Sequence, residues 1–181
     1  QLQRAFAISK KIKAKFPEIK IIWGGYFPSL HPITVLKSDY IDYVLKGHAE
    51  FSFIQLIDTL ESKPGAKDLS KIEGLSYKLH GKIFHNPKAE AIDPDLIPRL
   101  PYERVDVNKY LKYATTYLGP RTVAYHSSVG CPFLCGFCAV AGIYKGKWLG
   151  RSAELTAGDI IYLKEKYNIG AVEFHDNNFF V

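Results

Sequence analysis

Arg121-Thr122-Val123-Ala124-Tyr125-His126-Ser127-Ser128-Val129-Gly130-Cys131-Pro132-Phe133-Leu134-Cys135-Gly136-Phe137-Cys138 contains every cysteine of this 181-residue chain. Arg121 to His126 reads as a strand with Val123 and Tyr125 on one face, since side chains alternate across a strand. The cysteines follow at once as Cys-x-x-x-Cys-x-x-Cys. Three thiolates this close can converge on one soft metal centre, and sulfur ligands select zinc, copper(I) or iron–sulfur clusters. A four-iron cluster ordinarily takes four cysteines. Three would leave one iron without a protein ligand, and an open coordination position separates catalytic from structural metals. Two other readings stand beside this one. The same thiols could hold zinc with His126 or His175 as the fourth ligand, although no second, distant ligand pair accompanies them. They could also be small buried hydrophobes with no metal. A disulfide framework fits poorly, because the count is odd and such frameworks belong to short secreted chains.

Downstream, Thr156 to Tyr167 reads as a helix with Thr156 as N-cap, Asp159 near the positive end of the dipole, and Ile160, Leu163 and Tyr167 on one face. Asn168 and Gly170 end it, and Ala171 to Phe174 is the next strand. The cysteines therefore lie on the βα loop of a βαβ unit. In α/β barrels such loops gather at the C-terminal mouth, where reactive groups are found.

Upstream, Leu2, Phe6, Ile8, Ile12 and Phe16 repeat at helical spacing until Pro17. Ile19 to Trp23 is a β-branched run ending at Gly24-Gly25, a strand and tight turn. A short helix follows His31-Pro32, and Ile41 to Leu45 is a second strand closed by Gly47. Ala49 to Glu61 is a further helix with Phe53, Leu56, Ile57 and Leu60 on one side. This alternation predicts an α/β layer with parallel strands. Pro64-Gly65 closes the unit. Gly74 to Leu79 and Lys82 to His85 flank His80-Gly81 as a hairpin, and four prolines between Pro87 and Pro101 read as a stiff connector.

The composition is that of a packed protein: 47% of residues are hydrophobic and 14% aromatic, ample for cores. No apolar run approaches the roughly 18 residues of a membrane span, and no secretory signal is visible. The formal charge of +6 is spread over separate segments without a nucleic-acid motif, so solvated surface is the expectation and nucleic acid is not an expected partner. Unpaired thiols favour a reducing, cytoplasmic compartment. The chain starts at Gln1 and contains no methionine, which predicts a piece of a longer protein.

The cysteine spacing, with an aromatic residue before the third cysteine, resembles that of the radical S-adenosylmethionine (radical SAM) superfamily. The resemblance implies that Cys131, Cys135 and Cys138 ligate a [4Fe–4S] cluster whose fourth iron is chelated by S-adenosylmethionine, and that Phe137 lies beside the adenine. Cleavage of the sulfonium by an electron from the cluster would give a 5′-deoxyadenosyl radical. Phe174-His175-Asp176-Asn177-Asn178-Phe179 resembles the stretch ending the second barrel strand in this group, usually Asp-Asp-x-Phe. That makes Asp176 and Asn178 candidates to touch S-adenosylmethionine, and His175 a candidate base. An Asp/Asn turn is the structural alternative. The superfamily's Gly-Gly-Glu motif is absent, and Val129 stands where relatives often carry arginine.

Ile21-Ile22-Trp23-Gly24-Gly25-Tyr26-Phe27-Pro28 and Asp42-Tyr43-Val44-Leu45-Lys46-Gly47-His48-Ala49-Glu50 are similar to the latter half of the cobalamin-binding domain that precedes many radical SAM enzymes. The resemblance assigns Gly24 and Gly25 to contact with the cofactor's nucleotide tail, where backbone must pass close. A plain turn is the alternative for the same dipeptide. Gly47-His48-Ala49-Glu50 departs from the more usual Gly-Glu-Gly-Glu, and the motif with the cofactor's lower-face histidine would precede Gln1.

The expected fold is thus α/β: the C-terminal part of a Rossmann-like cobalamin (B12)-binding domain over 1–64, a connector with a β-hairpin over 65–118, and the first βαβ unit of a radical SAM (β/α) barrel over 119–181. The implied activity of the parent enzyme is methyl transfer to an unactivated carbon, with a small-molecule substrate and an external electron donor. A fragment of about two barrel strands would be inactive alone. An oxidative, ring-forming cyclase is the alternative enzyme, and a zinc-binding module the non-enzymatic one. An electron carrier has no need of an open iron.

Overall fold

A computed structural model describes residues 1–62 and 68–181, with backbone alone at 115. The turn expected at Pro64-Gly65 lies outside the described residues. The chain divides into two units, Gln1–Ala91 and Ile92–Val181.

The first unit runs α1 (Leu2–Lys15), β1 (Ile22–Trp23), α2 (Tyr26–Leu30), α3 (Pro32–Leu36), β2 (Tyr43–Leu45), α4 (Glu50–Glu61), β3 (Leu75–Leu79) and β4 (Lys82–His85). β1 and β2 are parallel, Ile22 opposite Tyr43 and Trp23 opposite Val44, as the alternation of helix and strand predicts. The hairpin forms at His80-Gly81, both residues in the left-handed region (φ 49° and 75°) that such tight turns require. It does not stand apart in a connector: β3 pairs antiparallel with β2, Leu75 opposite Leu45, giving the order β1-β2-β3-β4. The reason is burial. A lone two-stranded hairpin is marginal in water, whereas here Leu75 and Tyr77 join Leu45, Leu56 and Ile72 in one core cluster. A second cluster of Val35, Leu36, Ile41 and Val44 also takes in Phe6 and Trp23.

Two helices bury only part of the expected faces, Phe6 on α1 and Leu56 and Leu60 on α4. On α1, Ile8, Ile12 and Phe16 are exposed and Ser9 is buried, because Ser9 Oγ accepts the indole N–H of Trp23 at 3.0 Å. A buried Trp N–H needs such a partner. On α4, Leu56 is fully buried while Phe53 is half exposed. Asp42 ties the layers together, accepting from Lys13 Nζ at 2.9 Å and from the Ile21 amide at 2.8 Å.

The second unit runs α5 (Val107–Tyr113), β5 (Thr115–Thr116), β6 (Gly119–Pro120), β7 (Thr122–Tyr125), β8 (Ser128–Gly130), α6 (Ala139–Tyr144), β9 (Trp148–Gly150), α7 (Ala153–Tyr167) and β10 (Ala171–Phe174). β10 lies parallel to β7 in the register Ala171–Thr122 to Phe174–Tyr125, so the expected βαβ unit is present. Its core is Val107, Leu111, Leu163 and Ile169, with Val123 and Val172 against them. α7 starts three residues before Thr156: Ser152 is the cap, its Oγ accepting from the Leu155 amide at 3.5 Å. Asn168, at φ 50°, ends it as expected. The proline-rich segment is not extended throughout, since Pro94–Leu96 is a 3₁₀ turn, and a second, Tyr102–Arg104, follows it. Among the described residues no sheet closes into a barrel, and no helix is long and apolar enough to cross a membrane.

Candidate metal and cofactor site

β7 ends at Tyr125, and His126 and Ser127 lead into β8. β8 and β9 pair antiparallel, Ser128 opposite Gly150 and Gly130 opposite Trp148, and clamp the base of a loop containing the cysteines and α6. The Cys131 amide donates to the Lys147 carbonyl at 3.1 Å, just beyond that ladder. Gly130, at φ 85°, makes the approach feasible, because a Cβ there would run into the Lys147 carbonyl oxygen. Within the loop the Cys138 amide donates to the Cys135 carbonyl at 3.0 Å. Cys138 then occupies the position just before α6.

All three thiols are free of disulfides; Cys135 is exposed, Cys131 and Cys138 partly so. The inert-core reading therefore loses its premise. Phe133 and Leu134 are also exposed, and Phe137 is 94% exposed. Among the described residues no group of three or more His, Cys, Asp or Glu side chains is gathered closely enough to hold a metal ion. That applies equally to a cluster and to a Cys₃His zinc site. The donor set nevertheless fits a thiolate-bound cluster: three unpaired, accessible sulfurs on one short loop whose base is fixed by a ladder. Metal binding and the convergence of its ligands are coupled.

Asp176 and Asn178 follow β10 and come to the base of this loop. Asp176 accepts from Ser127 Oγ at 3.2 Å and from Ser128 Oγ at 2.5 Å. The Asn178 carbonyl accepts from Trp148 Nε1 at 3.0 Å. Both therefore join the end of β10 to the β8–β9 ladder, 48 residues away along the chain in the case of Asp176 and Ser128. Ser127 and Ser128 were legible as residues leading into the loop, but no local pattern marks their acceptor. The remaining side chains after the strands, His126 and His175, meet edge to face at 6.0 Å.

A third set was hidden from sequence. Asp159 is not at an exposed helix entrance but buried within α7, where it accepts from Arg99 Nε at 2.6 Å and Tyr125 Oη at 2.9 Å. Arg151, with its side chain 10% exposed, lies 3.5 Å from the same carboxylate and donates to the Pro94 and Ile97 carbonyls. Burial, and then the bond to Asp159, push the Tyr125 phenol up to about 12, so it remains a donor at neutral pH. The network fastens the 94–99 segment to β7 and α7. A cavity of about 210 Å³ opens beside it, bounded by Pro98, Leu100, Ala124, Ser128 and Arg151. Arginines 60 and 8 residues from Asp159 carry no periodic signal, so charge complementarity in space was the only clue.

In the first unit a crevice of about 420 Å³ opens where the parallel strands β1 and β2 end, lined by Trp23, Gly24, Leu45, Gly47, Glu50 and Phe53. Ligands of open α/β sheets bind outside the carboxyl ends of the strands. Gly24 lines the crevice, whereas Gly25, at φ 92°, forms the turn into α2. Gly47 is held at φ 72°, its amide donating to Ser29 Oγ at 3.0 Å. The glycines leave room along the crevice wall that side chains would fill, which fits a flat or extended ligand portion. His48, beside the crevice, is lowered below 6.5 by burial; Glu50 opposes that shift and Lys88 adds to it.

No protein-family model matches the chain. Among curated proteins, the anaerobic magnesium-protoporphyrin IX monomethyl ester cyclase of Synechocystis is 29% identical over 168 residues, 92% of this chain and 32% of that protein. An uncharacterized methyltransferase of Pyrococcus horikoshii is 30% identical over 177 residues, 97% of this chain and 37% of that protein. The cobalamin-dependent radical SAM methyltransferase TokK of Streptomyces tokunonensis is 26% identical over 139 residues, 75% of this chain and 20% of that protein. The chain is thus homologous to enzymes that include a cyclase, a methyltransferase and a cobalamin-dependent radical SAM methyltransferase, and spans about a third of the length of the first two. Its fold is shared with the cobalamin-dependent radical enzyme OxsB (TM-score 0.73, 21% identity, 98% of this chain and 24% of that one). It is shared also with the radical S-adenosylmethionine methyltransferase TsrM of Kitasatospora setae (TM-score 0.71, 18% identity, 94% of this chain and 32% of that one).

Proposed function

We propose that this chain is part of a cobalamin-binding radical SAM enzyme, with the cobalamin-binding portion in the first unit and the start of the (β/α) barrel in the second. The observation that carries the reading is the Cys131-Cys135-Cys138 loop. It leaves the end of β7 on an antiparallel clamp, beside the end of the parallel neighbour β10. Cys131, Cys135 and Cys138 would hold a [4Fe–4S] cluster, which when bound would supply the electron that cleaves S-adenosylmethionine to methionine and a 5′-deoxyadenosyl radical. Phe137, exposed between the second and third ligands, offers its ring to the adenine. Asp176, Asn178 and the two serines shape the floor on which S-adenosylmethionine lies. Gly24 on the crevice wall, with Gly25 turning the chain into α2 beside it, would let the nucleotide tail of cobalamin approach the strand ends in the first unit.

The reaction we assign to the parent enzyme is methyl transfer to an unactivated carbon of a small molecule, with an external electron donor in a reducing cytoplasm. The homologous methyltransferases support that assignment. The homologous cyclase favours oxidative cyclisation as a second reading. Anaerobic reconstitution of the full-length parent with iron and sulfide, followed by absorption and spin-resonance spectra, tests the cluster. Spectra that change on adding S-adenosylmethionine support it; tightly bound zinc without iron would favour a zinc module instead. Methyl-labelled S-adenosylmethionine with a small-molecule cell extract separates the two reactions: label in product marks methyl transfer, and a new unlabelled product formed together with deoxyadenosine marks cyclisation.

A further inference from the structure

The register of β7 and β10 brings together side chains that no local pattern groups. Tyr125 and Phe174 are opposite partners and meet edge to face at 5.9 Å, with the Tyr125 hydroxyl bonded to Asp159 of α7. Their face of the sheet is the helix side. Side chains alternate, so Ala124 and Glu173, the preceding partners, belong to the opposite face. The ladder continues one bond beyond the strands, with the His175 amide donating to the Tyr125 carbonyl at 2.8 Å. His126 and His175 therefore return to the face opposite α7 as neighbours, their rings 6.0 Å apart and perpendicular. Glu173 Oε2 lies 3.5 Å from His175 Nε2. Two imidazoles and a carboxylate thus share the face opposite α7 at the carboxyl ends of two adjacent parallel strands. In a barrel that face is the interior, and those ends form its reactive mouth.

We propose that His126, His175 and Glu173 form a proton-transfer set that acts directly on the substrate, which therefore carries an exchangeable N–H, O–H or carbonyl-activated C–H beside the reacting carbon. The inference rests on the barrel reading above. In this step the substrate's X–H bond breaks heterolytically. The bonding pair stays on the substrate, and the proton passes to an imidazole nitrogen of the pair. The Glu173 carboxylate offsets the positive charge that results. No oxidant or reductant is consumed. Neither histidine is within two residues of a cysteine of the metal loop. A base of this kind is superfluous for homolytic transfer to an aliphatic carbon, so it narrows the substrate to molecules that lose a proton as well.

The test uses the reconstituted full-length parent, methyl-labelled S-adenosylmethionine and a deproteinised small-molecule extract of the host cells. Two amounts are measured together: extract-derived product, labelled or newly formed, and 5′-deoxyadenosine. With His126→Ala or His175→Ala, product formed per deoxyadenosine falls about a hundredfold, within the range for loss of a general base. Imidazole added to the buffer restores a measurable part of it, which a structural role would not allow. His126→Gln and His175→Gln, which preserve bulk and polarity, show the same fall without rescue. Unchanged ratios in all four variants overturn the inference, as does a parallel loss of deoxyadenosine and product with no imidazole rescue. Failure of the wild-type parent to make any deoxyadenosine sinks the radical reading instead, so the two failures are distinguishable.

Discussion

Gly130 shows how one backbone position can govern the cysteine loop. Its φ of 85° and the proximity of the Lys147 carbonyl leave no room for a Cβ. Gly130→Ala is expected to cost about 2 kcal/mol, the scale of backbone strain at such a site, and to lower iron retention by the loop. Urea unfolding and iron content after gel filtration measure the two effects. The second case is His48. Its folded pKa is below 6.5 because burial penalises the imidazolium. As pH rises, the folded form therefore releases its proton first, and between the two pKa values the unfolded chain binds more protons. Stability rises with pH across that window. The contribution is complete above 6.5 and lost as pH falls through the lowered folded value. The urea midpoint should drop between pH 7.5 and pH 5.5, and His48→Gln should shrink that drop. An unchanged drop would assign it to other groups. The cysteines were plain in the sequence because their spacing is covalent. The glycine's constraint was not, because it depends on a carbonyl 17 positions away.

α7 was legible as an element from its apolar spacing and from Asn168, yet its start and its most buried polar group were not. Ser152 caps it where Thr156 was the expectation, and Asp159 points into the core to meet Tyr125 and two arginines. Asp159→Asn keeps the shape but removes the charge facing Arg151, whose side chain is nine-tenths buried. Breaking one side of a buried pair costs about 3 kcal/mol. The substitution should also loosen the 94–99 segment, seen as faster amide exchange there than in α5. Exchange that stays unchanged would show that Arg151 is held by the Pro94 and Ile97 carbonyls alone. The hairpin of β3 and β4 carries a similar lesson. Its turn was readable from His80-Gly81, but its place beside β2 follows from the burial of Leu75 and Tyr77, which turn chemistry does not specify.

For the molecule as a whole, the proposed chemistry makes the three thiols interdependent. Cys131→Ala, Cys135→Ala and Cys138→Ala, each in the full-length parent, should retain well under half of the reconstituted iron and lose the response to S-adenosylmethionine, because a cube missing one of three protein ligands is poorly held. A variant that keeps both would remove that residue from the ligand set. The longer helices, the parallel strand pairs and the cysteine loop after a strand could be read from the chain alone, since periodicity, turn residues and cysteine spacing are local along it; α2, α5, α6 and the short pairs β5–β6 and β8–β9 could not. The pairing of His126 with His175, the grip of Ser127 and Ser128 on Asp176, and the arginines around Asp159 came only with the folded chain. Those contacts join residues 8 to 60 positions apart, and strand register with burial decides them rather than any repeat along the sequence.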